Sequence, residues 1–382
     1  MTAYKLSFPV GYHQFHEDQV FNFQLNRWYS LGYARFQDMK EVGQRINTFG
    51  EWKTEMLKLA EKAVNEDRLM NAAFYYRAAE FYTLLGDPDK EPLYDKFVDL
   101  FYRAFKGEGI ERFGVPYRDG YLPAIRLLPT DAPKKGVIVM HGGFDSFIEE
   151  FYSWMRYFSE HGYEVIGFEG PGQGGARKKY GLALDWRWEK SAKAVLDYFG
   201  LDDLTWLGIS MGGWFCFRAA AFEPRIKRLI ASSIAFDYMQ TPNLVAQQLG
   251  KLFFKHLRKL TNQVTMRKMA KDKMHAWTVS NLMYIADKET PMDAMDVALQ
   301  LNEKNLHSEL VKQDVLILTG REDHFIPFKM HGMQVKALTN ARSVTDRVFT
   351  REEQAQNHCQ IGNVGLALDV MTKWIEEKGN SA

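Results

Sequence analysis

The chain has 382 residues, 46% of them hydrophobic and 25% charged, which is enough for a full-sized core and an accessory domain. Its 49 basic and 48 acidic residues leave a net charge of +1, which argues against a general electrostatic affinity for nucleic acid. Two cysteines, Cys216 and Cys359, make no disulfide framework; the N-terminal stretch lacks the pattern of a signal peptide, and no run approaches the roughly 18 apolar residues of a membrane span. A reducing cytoplasm is therefore the expected location.

The first third, residues 1–110, reads as helical. Trp52, Met56, Leu59, Ala60 and Ala63 recur at the spacing of one helix face, and so do Leu93, Phe97, Leu100, Phe101 and Ala104. Between them AAFYYRAAEFYTLL reads as a third helix, stopped by Gly86, Asp87 and Pro88. One helix pair is too few for a tetratricopeptide solenoid, which needs about three stacked repeats. From Glu111 the period changes: RFGVPY, the turn Arg118-Asp119-Gly120 and YLPAIRLL spell a β-hairpin. KGVIVMHGG, YEVIGFEG, LTWLGIS, RLIASSI and DVLILTG then read as short buried strands, mostly leading into helical stretches such as DWRWEKSAKAVLDYF. That alternation predicts an α/β fold, a mostly parallel sheet with helices on both faces.

Between Asp237 and Gln313 the alternation fails. Seven of the 17 methionines lie from Met239 to Met295, which suits an adaptable apolar surface, so residues 238–310 read as a helical cap inserted into a catalytic unit made of 111–237 and 311–382. Within it, KLFFKHLRKLTNQVTMRKMAKDK is basic and partly amphipathic; the solvated outer face of a cap accounts for it better than a membrane-surface helix.

The chemistry centres on Gly208-Ile209-Ser210-Met211-Gly212, set where a strand must turn sharply into a helix. A serine there has its hydroxyl exposed above the strand ends, and the next N–H points at the same spot. A hydroxyl needs a base to take its proton and a third group to orient the base, and at such an elbow the chain order is serine, acid, histidine. Asp323, in the loop after DVLILTG, is the favoured acid, with Glu322 as fallback. Of ten histidines only His324, His331 and His358 come late enough; His324 adjoins the acid and His331 falls in the next helical stretch, which leaves His358. Met211 supplies one oxyanion donor, and the loop His141-Gly142-Gly143-Phe144 supplies the other, from Gly143 in preference to Phe144. Phe144 and Asp237 are substrate-binding candidates. Asp237 stands just after the strand following the elbow, where an extra acid would assist a carbon leaving group; its ordinary alternatives are a helix cap or a solvated loop aspartate.

Other features weigh less. Gly170-Pro171-Gly172-Gln173-Gly174-Gly175 has glycines like a dinucleotide loop but sits in a later crossover and carries proline, so it reads as a tight loop. His13, His16 and Glu17 lack a strong ligand spacing and read as surface. No cofactor and no metal is expected.

The segments RINTFGEWKTEMLKLAEKA, AAFYYRAAEFY, HGGFDSFIEEF, EGPGQG, GISMGGWFCFRAAAFEPRI, GREDHFIP and NHCQIGN resemble the α/β-hydrolase superfamily, in the branch that includes 2,6-dihydroxypseudooxynicotine hydrolase and bacterial and fungal esterases. The resemblance covers nearly the whole chain. It implies an eight-stranded catalytic domain, an N-terminal helical cap element, a second cap after the sixth strand, and a triad of Ser210, Asp323 and His358. The expected activity is serine hydrolysis of a small, largely apolar carbonyl compound, in the first place a carboxylic ester. Cleavage of a carbon–carbon bond beside a ketone, acylaminoacyl-type peptidase action and an idle hydrolase fold used as a binding module are the alternatives. The expected partners are a small-molecule substrate and a second copy of the chain in a homodimer.

Overall fold

Helices α1 (Gln19–Ser30), α2 (Phe36–Gly43), α3 (Phe49–Asn65), α4 (Leu69–Phe81) and α5 (Lys90–Ala104) occupy the first third of the chain in the computed structural model, which describes residues 7–130, 133–238, 250, 254 and 256–379. At the start of α3 the Thr48 hydroxyl accepts the Glu51 N–H while the Glu51 carboxylate accepts that of Thr48, a reciprocal cap worth about 1 kcal/mol. Trp52, Met56, Ala60 and Ala63 face inward from α3, and Leu93, Phe97, Leu100 and Phe101 from α5, as their spacing predicts. Helix α4 is buried nearly all round and ends at Phe81 rather than Leu85; beyond it the Thr83 hydroxyl bonds back to the Glu80 carbonyl.

Helix α1 shows no apolar stripe because several of its inward positions are polar. Asn22 Oδ1 accepts the N–H groups of Phe15 and His16 at 2.8 and 3.0 Å, and Asn26 Oδ1 accepts that of His13 at 2.8 Å, which fastens the N-terminal arm along the helix. His13 and His16, expected on the surface, are half-buried for this reason. The His13 ring packs among Phe15, Tyr29 and Phe36, and His16 Nε2 meets the Ile46 carbonyl at 2.7 Å.

Strands β1 (Glu111–Tyr117), β2 (Gly120–Leu127), β3 (Gly136–His141), β4 (Tyr163–Phe168), β5 (Leu204–Ile209), β6 (Ile226–Ser232), β7 (Asp314–Gly320) and β8 (Ser343–Phe349) form one eight-stranded sheet in the order β1-β2-β4-β3-β5-β6-β7-β8. The β1–β2 hairpin and its join to β4 are antiparallel; every other pairing is parallel. Alternate side chains serve opposite faces. From β3, Ile138 and Met140 enter the core shared with the N-terminal helices, while Val137 and Val139 enter the one shared with α6 (Glu189–Phe199) and α7 (Gly212–Phe222).

Between β6 and β7 the described residues form helices Arg258–Met269, Lys273–Ala286, Pro291–Ala298 and Glu303–Leu306. The first of these buries no residue. The second docks on α4: Trp277 Nε1 donates to the Phe81 carbonyl at 2.6 Å and its indole stacks on the Phe81 ring. Met239 and the start of the basic run at Lys251 lie outside the described residues.

A buried ion cluster joins the N-terminal helices to the loop after β3. Glu150, fully buried, receives Arg77 Nε at 2.6 Å on one oxygen and Arg27 Nη2 at 2.5 Å on the other; Arg77 also bonds Glu80 and the Asp145 carbonyl. Removing one member of such a group strands its partners' charges in a medium that cannot solvate them. Glu150→Ala is accordingly expected to lower the unfolding free energy by about 3–5 kcal/mol, measured by urea titration; a loss below 1 kcal/mol would contradict the packing described.

Candidate active site

The C-terminal ends of the parallel strands converge, as open α/β sheets require of their ligand sites. Ser210 follows β5 with φ +61°, a left-handed conformation that costs a non-glycine residue about 1–3 kcal/mol. The turn is possible because Gly208 has no side chain: a Cβ there would lie 2.1 Å from the Gly212 carbonyl oxygen. The Ser210 N–H is held by the Ser232 carbonyl at 2.8 Å, and its own carbonyl accepts the Gly213 N–H at 2.8 Å, opening α7.

His358 lies in the turn after β8, with its Nε2 2.9 Å from Ser210 Oγ and its Nδ1 2.7 Å from Asp323 Oδ2. The other Asp323 oxygen accepts the N–H groups of Phe325 and Ile326, both at 2.9 Å. Burial alone would raise the Asp323 carboxyl, but the His358 charge and these hydrogen bonds outweigh it and hold the group below the ordinary carboxylate range. Burial likewise works against protonating His358, yet Asp323, aided by Cys359, lifts the imidazole well above its usual value. In the neutral imidazole the carboxylate keeps the proton on Nδ1 and leaves the Nε2 lone pair facing the hydroxyl. Glu322, the fallback acid, points elsewhere and pairs with Arg351. His331 bonds Thr319 and Asp346 instead, with its Nδ1 2.9 Å from Thr319 Oγ1 and its Nε2 3.0 Å from Asp346 Oδ2.

The loop after β3 abuts this elbow so closely that a Cβ on Gly143 would lie 2.7 Å from the Met211 nitrogen. His141, at the strand end, accepts the Trp206 indole N–H on Nε2 at 2.9 Å and donates from Nδ1 to the Gly142 carbonyl at 3.0 Å; burial pushes its imidazole down to about 4, so it is neutral. The Gly143 N–H is engaged by Ser146 Oγ at 3.3 Å, whereas those of Phe144 and Met211 donate to no other described residue. The Phe144 carbonyl accepts Asn281 Nδ2 at 3.1 Å, from the helix that also carries Trp277.

Asp237 is turned toward the returning chain: its Oδ2 accepts the Glu303 N–H at 3.3 Å, at the first residue of helix Glu303–Leu306. Sequence reasoning missed four contributors, three of which only tertiary contact identifies. Phe23 of α1 stands 4.7 Å from the His324 ring, 5.4 Å from Phe325 and 6.3 Å from His358. Gln173, Asn281 and Ser146 hold the loop after β3 by side-chain hydrogen bonds. Among the described residues no group of three or more His, Cys, Asp or Glu is placed to hold a metal ion, and no helix is long and apolar enough to cross a membrane.

A serine elbow after a central strand of a mostly parallel eight-stranded sheet is the hallmark of one class, and the chain belongs to it: the alpha/beta hydrolase fold family matches residues 136–348, more than half of the length. Among known proteins it is similar to the 20-hydroxy-prefusarin hydrolase FUS2 of Gibberella moniliformis, 29% identical over 82% of this chain and 84% of that protein. It is also similar to the hydrolase acrC of Aspergillus aculeatus, 25% identical over 78% of this chain and 74% of that one. Among solved structures, 2,6-dihydroxy-pseudo-oxynicotine hydrolase superposes with a TM-score of 0.65 at 20% identity over 92% of this chain and 94% of that one. AbyA5 superposes with a TM-score of 0.68 at 19% identity over 95% of each chain. At such identities the likeness to these two concerns the fold.

The charge on Asp323 is what raises His358, which gives a sign to test. In an NMR titration the His358 imidazole should lose its proton at a midpoint above 6.5, and in Asp323→Asn, with that charge gone and burial opposed only by Cys359, the midpoint should fall below that of the native protein. An unshifted midpoint would separate the two groups.

Proposed function

We propose that the protein is a serine hydrolase that cleaves a small, largely apolar carbonyl substrate, a carboxylic ester in the first place. The observation that carries this reading is the unbroken chain Ser210 Oγ, His358 Nε2 at 2.9 Å, and Asp323 on His358 Nδ1 at 2.7 Å, set on an elbow that has no structural need for a hydroxyl. Ser210 attacks the carbonyl carbon while His358 takes its proton. The resulting oxyanion is met by the Met211 N–H and by the Phe144 N–H, preferred over that of Gly143 because the latter already faces Ser146. Collapse expels the alcohol, protonated by His358, and leaves an acyl-serine; a water deprotonated by the same imidazole then releases the acid and restores the hydroxyl.

Phe23 and Phe325 beside His358, and Phe144 against Trp277, supply apolar walls suited to such a substrate. They come from α1, the acid loop, the loop after β3 and the insertion, which supports reading both the N-terminal helices and residues 238–310 as covers that shape the pocket. Asp237 Oδ2 accepts the Glu303 N–H beside the Asn302 cap of Glu303–Leu306, an engagement that supports the ester over a carbon leaving group that would need a further acid. The similarity to proteins named as hydrolases agrees with an active enzyme rather than an idle scaffold.

Ser210→Ala removes a hydroxyl without opening a cavity, so the variant should fold as the native protein does. Its kcat on p-nitrophenyl esters should fall at least about 10^4-fold, and labelling by a fluorophosphonate should vanish. Substantial turnover by the folded variant refutes the mechanism.

A further inference from the structure

We infer that Gln173 is the positioning residue of the oxyanion hole, an inference that rests on the serine-hydrolase reading above. A trans peptide unit is planar, so the carbonyl of one residue and the N–H of the next point in opposite directions. Whatever holds the carbonyl aims the N–H. Gln173 Nε2 donates to the Gly142 carbonyl at 2.7 Å and to the Gly143 carbonyl at 3.1 Å, and these two peptide units carry the N–H groups of Gly143 and Phe144. One buried amide thus fixes both N–H groups on the side away from itself: the Gly143 N–H on Ser146 Oγ, the Phe144 N–H with no described partner and available to an oxyanion.

The amide is itself oriented. Gln173 is 3% exposed, and its Oε1 accepts the Gly170 N–H at 2.9 Å, so a flip would set its oxygen against two carbonyls and its NH2 against an N–H. Both amide protons are used, one on each carbonyl. The two carbonyls differ in what else they have: the Gly142 oxygen also receives His141 Nδ1 at 3.0 Å, whereas Gln173 is the one described side chain on the Gly143 oxygen. Loss of Gln173 therefore falls mainly on the peptide unit that ends in the Phe144 N–H. Such a preorganised donor acts more strongly on the transition state than on the ground state. The consequence is a change in kcat rather than in substrate binding.

The test compares Gln173→Met, which fills the same space without a donor, and Gln173→Glu, which keeps the shape but sets an oxygen against the carbonyls. Gln173→Met should lose about 10^2-fold in kcat on a p-nitrophenyl ester, with KM changed less than about threefold. Affinity for a trifluoromethyl ketone, whose adduct carries the oxyanion, should weaken in parallel with kcat, while the matching unreactive alcohol binds as before. For Gln173→Glu the kcat ratio to the native enzyme should rise as pH falls, because the protonated carboxyl regains one donor, while the titration of His358, common to both enzymes, divides out of the ratio. Native-like kcat in folded Gln173→Met, or equal weakening of ketone and alcohol, overturns the inference; should that variant not fold, the pH dependence of Gln173→Glu decides alone. Failure of the serine reading appears separately, as a native enzyme that the fluorophosphonate does not label, and takes this inference with it.

Discussion

The pair Ser232-Ser233 at the end of β6 is the point to which the whole site is referred. The Ser232 carbonyl holds the strained Ser210 peptide at 2.8 Å, and its hydroxyl donates to Gln360 Oε1 at 2.9 Å, in the turn that carries His358. The Ser233 hydroxyl accepts the Cys359 N–H at 3.1 Å, and the Ser233 N–H bonds the Leu318 carbonyl of β7, the strand that leads to Asp323. Three segments far apart in sequence thus share one anchor, placed on a central strand whose pairing with β5 and β7 leaves it little freedom. A proton chain with two hydrogen bonds under 3 Å needs such a common reference, because an error of 1 Å in any one loop would break it.

The loop after β3 is held by a different principle. Its successive carbonyls at Gly143, Phe144 and Asp145 are met by Gln173, Asn281 and Arg77, side chains from a crossover loop, the insertion and an N-terminal helix. Irregular backbone buried at a site has no neighbouring strand to satisfy it, so side chains must, and each one settles the direction of the following N–H. The same bonds join the three parts of the chain around the loop. The buried cluster on Glu150 adds to this: ions contribute little net stability once desolvated, but they tolerate only one arrangement, which suits the task of fixing α1 and α4 against the catalytic framework.

The legible and illegible parts of the sequence divide along these lines. Strands β3 to β7 could be read because each is a short apolar run buried almost throughout, and α3 and α5 because each has one wet face. The elbow, Asp323 and His358 could be read because backbone geometry and chain order constrain them locally. Helix α1 escaped periodicity since Asn22 and Asn26 face inward to bind the N-terminal arm, and α4 since it is buried nearly all round. Gln173 looked like a turn residue in a glycine-rich loop, and Asn281 like an ordinary polar position on a helix. Their partners lie 30 and 137 residues away, and no local pattern encodes a bond across that distance.

The electrostatic division among the histidines follows from the same packing. His141 is buried among Phe168, Trp188, Trp206 and Phe215, with no carboxylate beside it, and is pushed down to about 4. His324 is also lowered to about 4, first by burial and then by the charge on His358. Only His358 has a buried carboxylate within hydrogen-bond reach, and it alone of the three is raised. Near neutral pH the centre therefore contains a single imidazole able to exchange a proton, flanked by two that remain uncharged. On the proposed serine-hydrolase reading, a second imidazolium here would stabilise the oxyanion but would also compete with His358 for the negative charge of Asp323, weakening the base that this reading requires to create that oxyanion. Neutral N–H donors avoid this conflict, since they carry no net charge for the carboxylate to attract. This is why a site built around one Asp–His pair gains from directing backbone amides, rather than another cation, at the developing charge.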